Sequence, residues 1–219
     1  FKVMENVRKG KGLEKGGFNN KAELDAAHVP QWFIDSCLKI GYLFPRAHAV
    51  AYVMMAFRIA WFKVYQPLAY YAAYFTIRAE GSFNAPVILK GLESQKAELA
   101  RIAALEHSTA VEKGNATVIE VAAEMYLRGM EFLPIDLDRS DASEFKMVDG
   151  KLLPPFNCIP ALGDAVAKEI VRARGEHLFT SKEDLKKRGK VSQSIIDTMD
   201  SMGILKNMPD EEQISLFSF

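Results

Sequence analysis

From Lys21 to about Ala79 the apolar residues recur at helical spacing, and Pro30, Pro45 and Pro67 stand where helices begin. The pattern predicts three or four packed helices. The longest runs from about Arg46 to Tyr65; Tyr52, Met55, Phe57, Ile59 and Phe62 nearly surround it, which predicts a central, largely buried helix. Leu68–Ile77 continues as another. Between Ala85 and Met130 two more amphipathic helices are expected, the second opened by Thr117 with Glu120 three residues on, a capping-box pattern, and closed by Gly129. Glu144–Pro155 alternates around Asp149-Gly150, a strong hairpin signal. After Pro154-Pro155 the texture changes to short helices joined by tight turns. Asn207–Phe219 is acidic, then apolar, without helical period, and reads as a flexible tail. The other end, from Arg8-Lys9-Gly10-Lys11-Gly12 to Asn20, reads as a basic loop. The fold class is therefore mainly α, a multi-helix region with a small β-hairpin.

Composition narrows what such a chain can do. In 219 residues, 49% apolar content is enough for a packed core, while 28 basic and 28 acidic residues cancel. With no global positive field, any nucleic-acid contact must be local. Cys37 and Cys158 lack metal-ligand spacing and fit buried thiols in a reducing, cytoplasmic setting. The apolar run Ala47–Phe57 contains His48 and stops at Arg58, short of a membrane span. The chain opens at Phe1 with no Met, basic leader or cleavage site, which reads as a truncation.

Ile159-Pro160-Ala161-Leu162-Gly163, followed by an amphipathic stretch, resembles a helix-hairpin-helix. In that motif a Pro-Gly-apolar-Gly turn exposes backbone N–H groups beside a helix start, where a DNA phosphate can bind. Ala161 stands where the first glycine is expected. A second, degenerate copy follows: Ser181 to Asp184 caps a short helix, Lys186 to Val191 forms a basic turn, and Ser192 opens another helix through Ile195, Ile196 and Met199. Between Ile159 and Val191 there are eight Lys/Arg against five Asp/Glu. These residues nominate Leu162, Gly163, Lys168, Lys187, Arg188, Gly189 and Lys190 as a duplex-backbone site. Gln213-Ile214-Ser215-Leu216-Phe217 resembles the Gln-Leu-Ser/Asp-Leu-Phe peptide that docks on bacterial sliding clamps; Leu216 and Phe217 would be the anchors and Gln213 the polar edge contact. Arg46, His48 and Tyr52 at a helix start could meet a triphosphate and a base, or be structural.

Together, Val7–Gly12, Phe44–Tyr52 with Arg58–Lys63, Leu153–Phe156, the hairpin turns and the 213–217 tail resemble the PolC-type alpha subunit of bacterial DNA polymerase III, in the same order. The resemblance implies a polymerase fingers region over 1–131, a β-hairpin connector at 132–157, a tandem helix-hairpin-helix domain at 158–206 and a clamp-binding tail at 207–219. It also implies that Arg46, His48 and Tyr52 lie near the incoming nucleotide and that Arg8, Lys9 and Lys11 face triphosphate or template. The family usually has Lys where Arg46 stands, which keeps the charge but changes reach. The implied partners are primer-template DNA, a dNTP and the sliding clamp (beta subunit), with no membrane. Phosphoryl transfer needs carboxylates holding two Mg2+ ions about 3.5–4 Å apart; in the family these belong to a palm upstream of residue 1. Asp136-Leu137-Asp138 is the only close acidic pair of that kind, so this chain is expected to hold no catalytic metal and to be inactive alone. A stand-alone helix-hairpin-helix clamp adaptor is the alternative, and a hairpin-containing nuclease is disfavoured by the lack of ligand clusters.

Overall fold

The computed structural model describes residues 2–13, 20–78 and 81–211. Its elements are α1 (Lys2–Arg8), α2 (Asn20–Ala26), α3 (Gln31–Lys39), α4 (Arg46–Tyr65), α5 (Pro67–Arg78), α6 (Ala85–Ile88), α7 (Leu92–Ala103), α8 (Ala110–Leu127), β1 (Lys146–Val148), β2 (Lys151–Leu153), α9 (Asp164–Glu176), α10 (Lys182–Arg188) and α11 (Gln193–Ser201). The chain divides into two compact units, residues 1–60 and 61–219.

The first unit is held by Val7, Leu13, Ile34 and Cys37, with Val3, Leu24, Val29 and Ile40 packed around them. Pro30 caps α3, as the proline pattern predicts. The second unit has one continuous core. Tyr71 and Phe75 of α5 meet Ile119 and Met125 of α8, and Phe75, Phe83, Phe132 and Phe145 form mutual edge-on and tilted ring contacts. The same core runs on through Phe156, Leu162, Ile170, Leu185, Val191, Ile196 and Met199, so the hairpin turns and the α5–α8 helices share one core.

Asp149 (φ 51°) and Gly150 (φ 75°) turn β1 back on β2, with Val148 opposite Lys151 and Lys146 opposite Leu153. Residues 131–133 lie along β2, where Leu133 N donates to Leu152 O at 2.7 Å and Leu152 N to Glu131 O at 3.0 Å.

Two local expectations are corrected. The capping box of α8 is Thr109/Glu112, not Thr117/Glu120: the Thr109 hydroxyl accepts from Glu112 N at 3.2 Å and the Glu112 carboxylate accepts from Thr109 N at 2.9 Å. Thr117 lies inside α8, its hydroxyl donating to Lys113 O. The tail is also not free from Asn207 onward. Lys182 N and Glu183 N, the first amides of α10, donate to Pro209 O (2.9 Å) and Asp210 O (3.1 Å), and Lys182 Nζ bridges Asp200 and Asp210 at 3.1 and 3.0 Å. The expectation that α4 is largely buried is corrected as well: its limits are as predicted, but none of its residues is buried within this chain. The apolar side chains wrap the whole helix, and the polypeptide described here does not cover them.

Candidate nucleic-acid interface

The two turns share one backbone design. In the first, Leu162 N donates to Ile159 O at 3.0 Å across Pro160-Ala161, with Ala161 at φ 65°, the signature of a type II turn. Leu162 is buried, Gly163 is extended (φ −77°, ψ 161°), and α9 begins. In the second, Lys190 is at φ 53°, Val191 is buried, Ser192 is extended (φ −72°, ψ 159°), and α11 begins. Thus a left-handed residue, a buried apolar anchor, an extended cap and a helix follow in order twice. Neither Gly163 nor Ser192 caps its helix through a side chain, so the first amides of α9 and α11 have no side-chain acceptor from the cap. Ala161 therefore keeps the turn that glycine would make, in a left-handed conformation that costs an L-residue about 1–2 kcal/mol.

Gly189 is needed for a different reason. It has an ordinary helical conformation, but a Cβ there would lie 2.6 Å from Leu185 O.

The basic residues separate into three groups. Lys168 and Lys187 are exposed, with no carboxylate partner among the described residues; Lys186 donates to Gln193. Lys190 and Arg172 both pair with Glu169, at 3.2 and 3.0 Å, and these partners, Arg172 first, hold the Glu169 carboxyl down to about 2. Arg188 and Arg174 are turned into the fold. Arg188 donates to the Asp184 carboxylate (2.8 Å), to His177 O and to Ala173 O, and lies over the Phe179 ring. Arg174 donates to Leu137 O and Ser140 O and lies over Phe156. Nothing in the local sequence separates these arginines from the outward lysines, since the inward direction depends on carbonyls supplied by distant segments.

The second group of expected residues meets in the first unit. Leu43 N donates to Arg8 O at 3.0 Å, and a Cβ on Gly10 would collide with Gly41 O. The basic loop thus touches the segment leading into α4. From there Tyr42, Phe44, His48 and Tyr52 form a ladder of exposed rings, with centroids 6.1, 5.0 and 4.3 Å apart in turn. Arg46 and Lys11 are exposed. Arg8 and Lys9 both pair with Glu5, at 3.0 and 3.1 Å, and that pairing lowers the Glu5 carboxyl to about 2. An anion approaching this loop must compete with Glu5.

Asp136 turns one carboxylate oxygen onto its own backbone: Oδ1 accepts from Asp138 N and Arg139 N, closing a local turn. Among the described residues, no three or more His, Cys, Asp or Glu side chains gather into a metal-binding group. Cys37 and Cys158 are buried, free thiols, and burial pushes the Cys158 thiol up.

Residues 129–214 match the family model described as helix-hairpin-helix motif, a span that takes in both turns. The chain is homologous over 99% of its length to a C-terminal part of PolC-type DNA polymerase III. It is 51% identical over 217 residues to the DNA polymerase III PolC-type of Thermotoga maritima, 52% over 219 to that of Pediococcus pentosaceus and 47% over 218 to that of Clostridium perfringens. It spans 16% of the length of the Thermotoga relative and 15% of the other two. Gln213, Leu216 and Phe217 lie outside the described residues.

Proposed function

We propose that the chain is the DNA-handling C-terminal portion of a replicative DNA-directed DNA polymerase. In this reading the paired turns bind the duplex backbone, the ring ladder and basic loop contact the incoming nucleotide, and the tail attaches the enzyme to a sliding clamp in the cytoplasm. The observation that carries the duplex assignment is the repeated turn: two helix starts with uncapped first amides, beside Lys168 and Lys187, offer donors and charge to phosphates. The homology to PolC-type polymerases supports the parent enzyme.

For the nucleotide, Arg46 and the α4 amides would supply positive charge, with His48 and Tyr52 as stacking surfaces. For the clamp, the contacts of Pro209 and Asp210 with α10 support a short leash. Gln213 follows Asp210 by three residues, so a clamp held there lies within roughly 10 Å of α10 along the chain. Mg2+ belongs to a palm outside this chain.

The test pairs the 219-residue chain with the intact polymerase. The chain should bind primed duplex with strong salt dependence and should bind the clamp unless Leu216 and Phe217 are changed to Ala. It should incorporate no nucleotide. In the intact enzyme, His48→Ala should raise the requirement for nucleotide more than for primer. Nucleotide incorporation by the chain alone would overturn the assignment.

A further inference from the structure

The α4 helix carries bulky apolar side chains on two opposite faces. At 100° per residue, His48, Tyr52, Met55, Ile59 and Phe62 share one face, and Val50, Val53, Met54, Phe57, Trp61 and Val64 share the other. The first is the face of the ring ladder. The second has no role in the nucleotide reading, yet each of its six side chains is at least half exposed, Phe57 at 75%. Between Ser36 and Ala79 the chain has no Asp or Glu, while Lys39, Arg46, Arg58, Lys63 and Arg78 give the region a positive rim. An apolar face of this size is an interaction surface.

We infer that the Val50–Val64 face of α4 docks against polypeptide of the same polymerase lying outside this chain, through an apolar patch with a neutral or acidic rim. This rests on the polymerase reading above. The chain spans 15–16% of the length of its relatives, so most of such an enzyme is available to cover it. A membrane fits less well, although α4 has the length and composition to cross one. A helix lying on a bilayer needs a polar face, and α4 has none along its length. A spanning helix would put Arg58 into hydrocarbon at about 2.5–3.5 kcal/mol, while Lys63 near its end is held by Glu124 at 2.7 Å.

The test is amide hydrogen exchange over residues 46–60 in the intact polymerase and in the 219-residue chain, read beside nucleotide incorporation by the intact protein. Docking predicts exchange slowed by about a hundredfold or more in the intact enzyme relative to the chain alone. Val53→Lys and Phe57→Lys should leave thermal unfolding of the chain unchanged and remove the slow exchange in the intact enzyme. Equally fast exchange in both proteins overturns the proposal. So does slowing in the chain alone that appears with dimer formation, which assigns the face to a second copy. Slowing that needs phosphatidylglycerol/phosphatidylcholine vesicles overturns it in favour of a membrane. An intact protein that incorporates no nucleotide sinks the polymerase reading, while the exchange result still decides whether the face is covered.

Discussion

At the residue scale, backbone conformation and side-chain direction decide which groups face outward. Ala161 occupies φ 65°, where a Cβ is strained. Ala161→Gly should raise stability by up to about 1 kcal/mol, the relief being partly offset by the entropy of glycine in the unfolded chain. A lower midpoint in thermal unfolding would contradict this. Arg188 is one of the expected DNA contacts whose geometry binds it to the protein: Arg188→Ala leaves the Asp184 carboxylate with Thr180 N but no cation, removes a donor from two carbonyls, and should cost about 2 kcal/mol in urea unfolding. An unchanged midpoint would return Arg188 to the surface. Cys158, buried with its thiol pushed up, should react with a thiol reagent only at the rate of unfolding. The glycine deviation at 161 was legible in the sequence. That Lys190 takes the equivalent left-handed place was not, because lysine carries no turn preference there and tertiary packing of Val191 sets it.

At the element scale, the helix limits set by proline and the Asp149-Gly150 hairpin follow from local chemistry and were readable. The start of α8 was not, because Thr109–Glu112 and Thr117–Glu120 are the same local pattern, and only packing of the whole 18-residue helix selects the first. The α10 start is closed from outside by Pro209 and Asp210 carbonyls, which no local pattern announces. A chain ending at Met208 should therefore show exchange at the Lys182 and Glu183 amides about fivefold faster, as expected when a bond worth about 1 kcal/mol is lost. Unaltered exchange would mean that the clip does not form in solution.

At the scale of the whole molecule, helical class and the tandem turns were visible in the pattern. The exposure of α4 was not, since periodicity reports that a helix will be covered without saying which polypeptide covers it. In the proposed function the two turns form one surface for duplex DNA, with Lys168 and Lys187 as outward charges. Its most direct test is the affinity of the chain for primed duplex across a salt series, measured by fluorescence anisotropy for the unchanged chain and for Lys168→Ala/Lys187→Ala. Loss of two phosphate contacts predicts weaker binding and a log–log salt slope shallower by about 1.8. The same affinity and the same slope in both proteins would contradict the account.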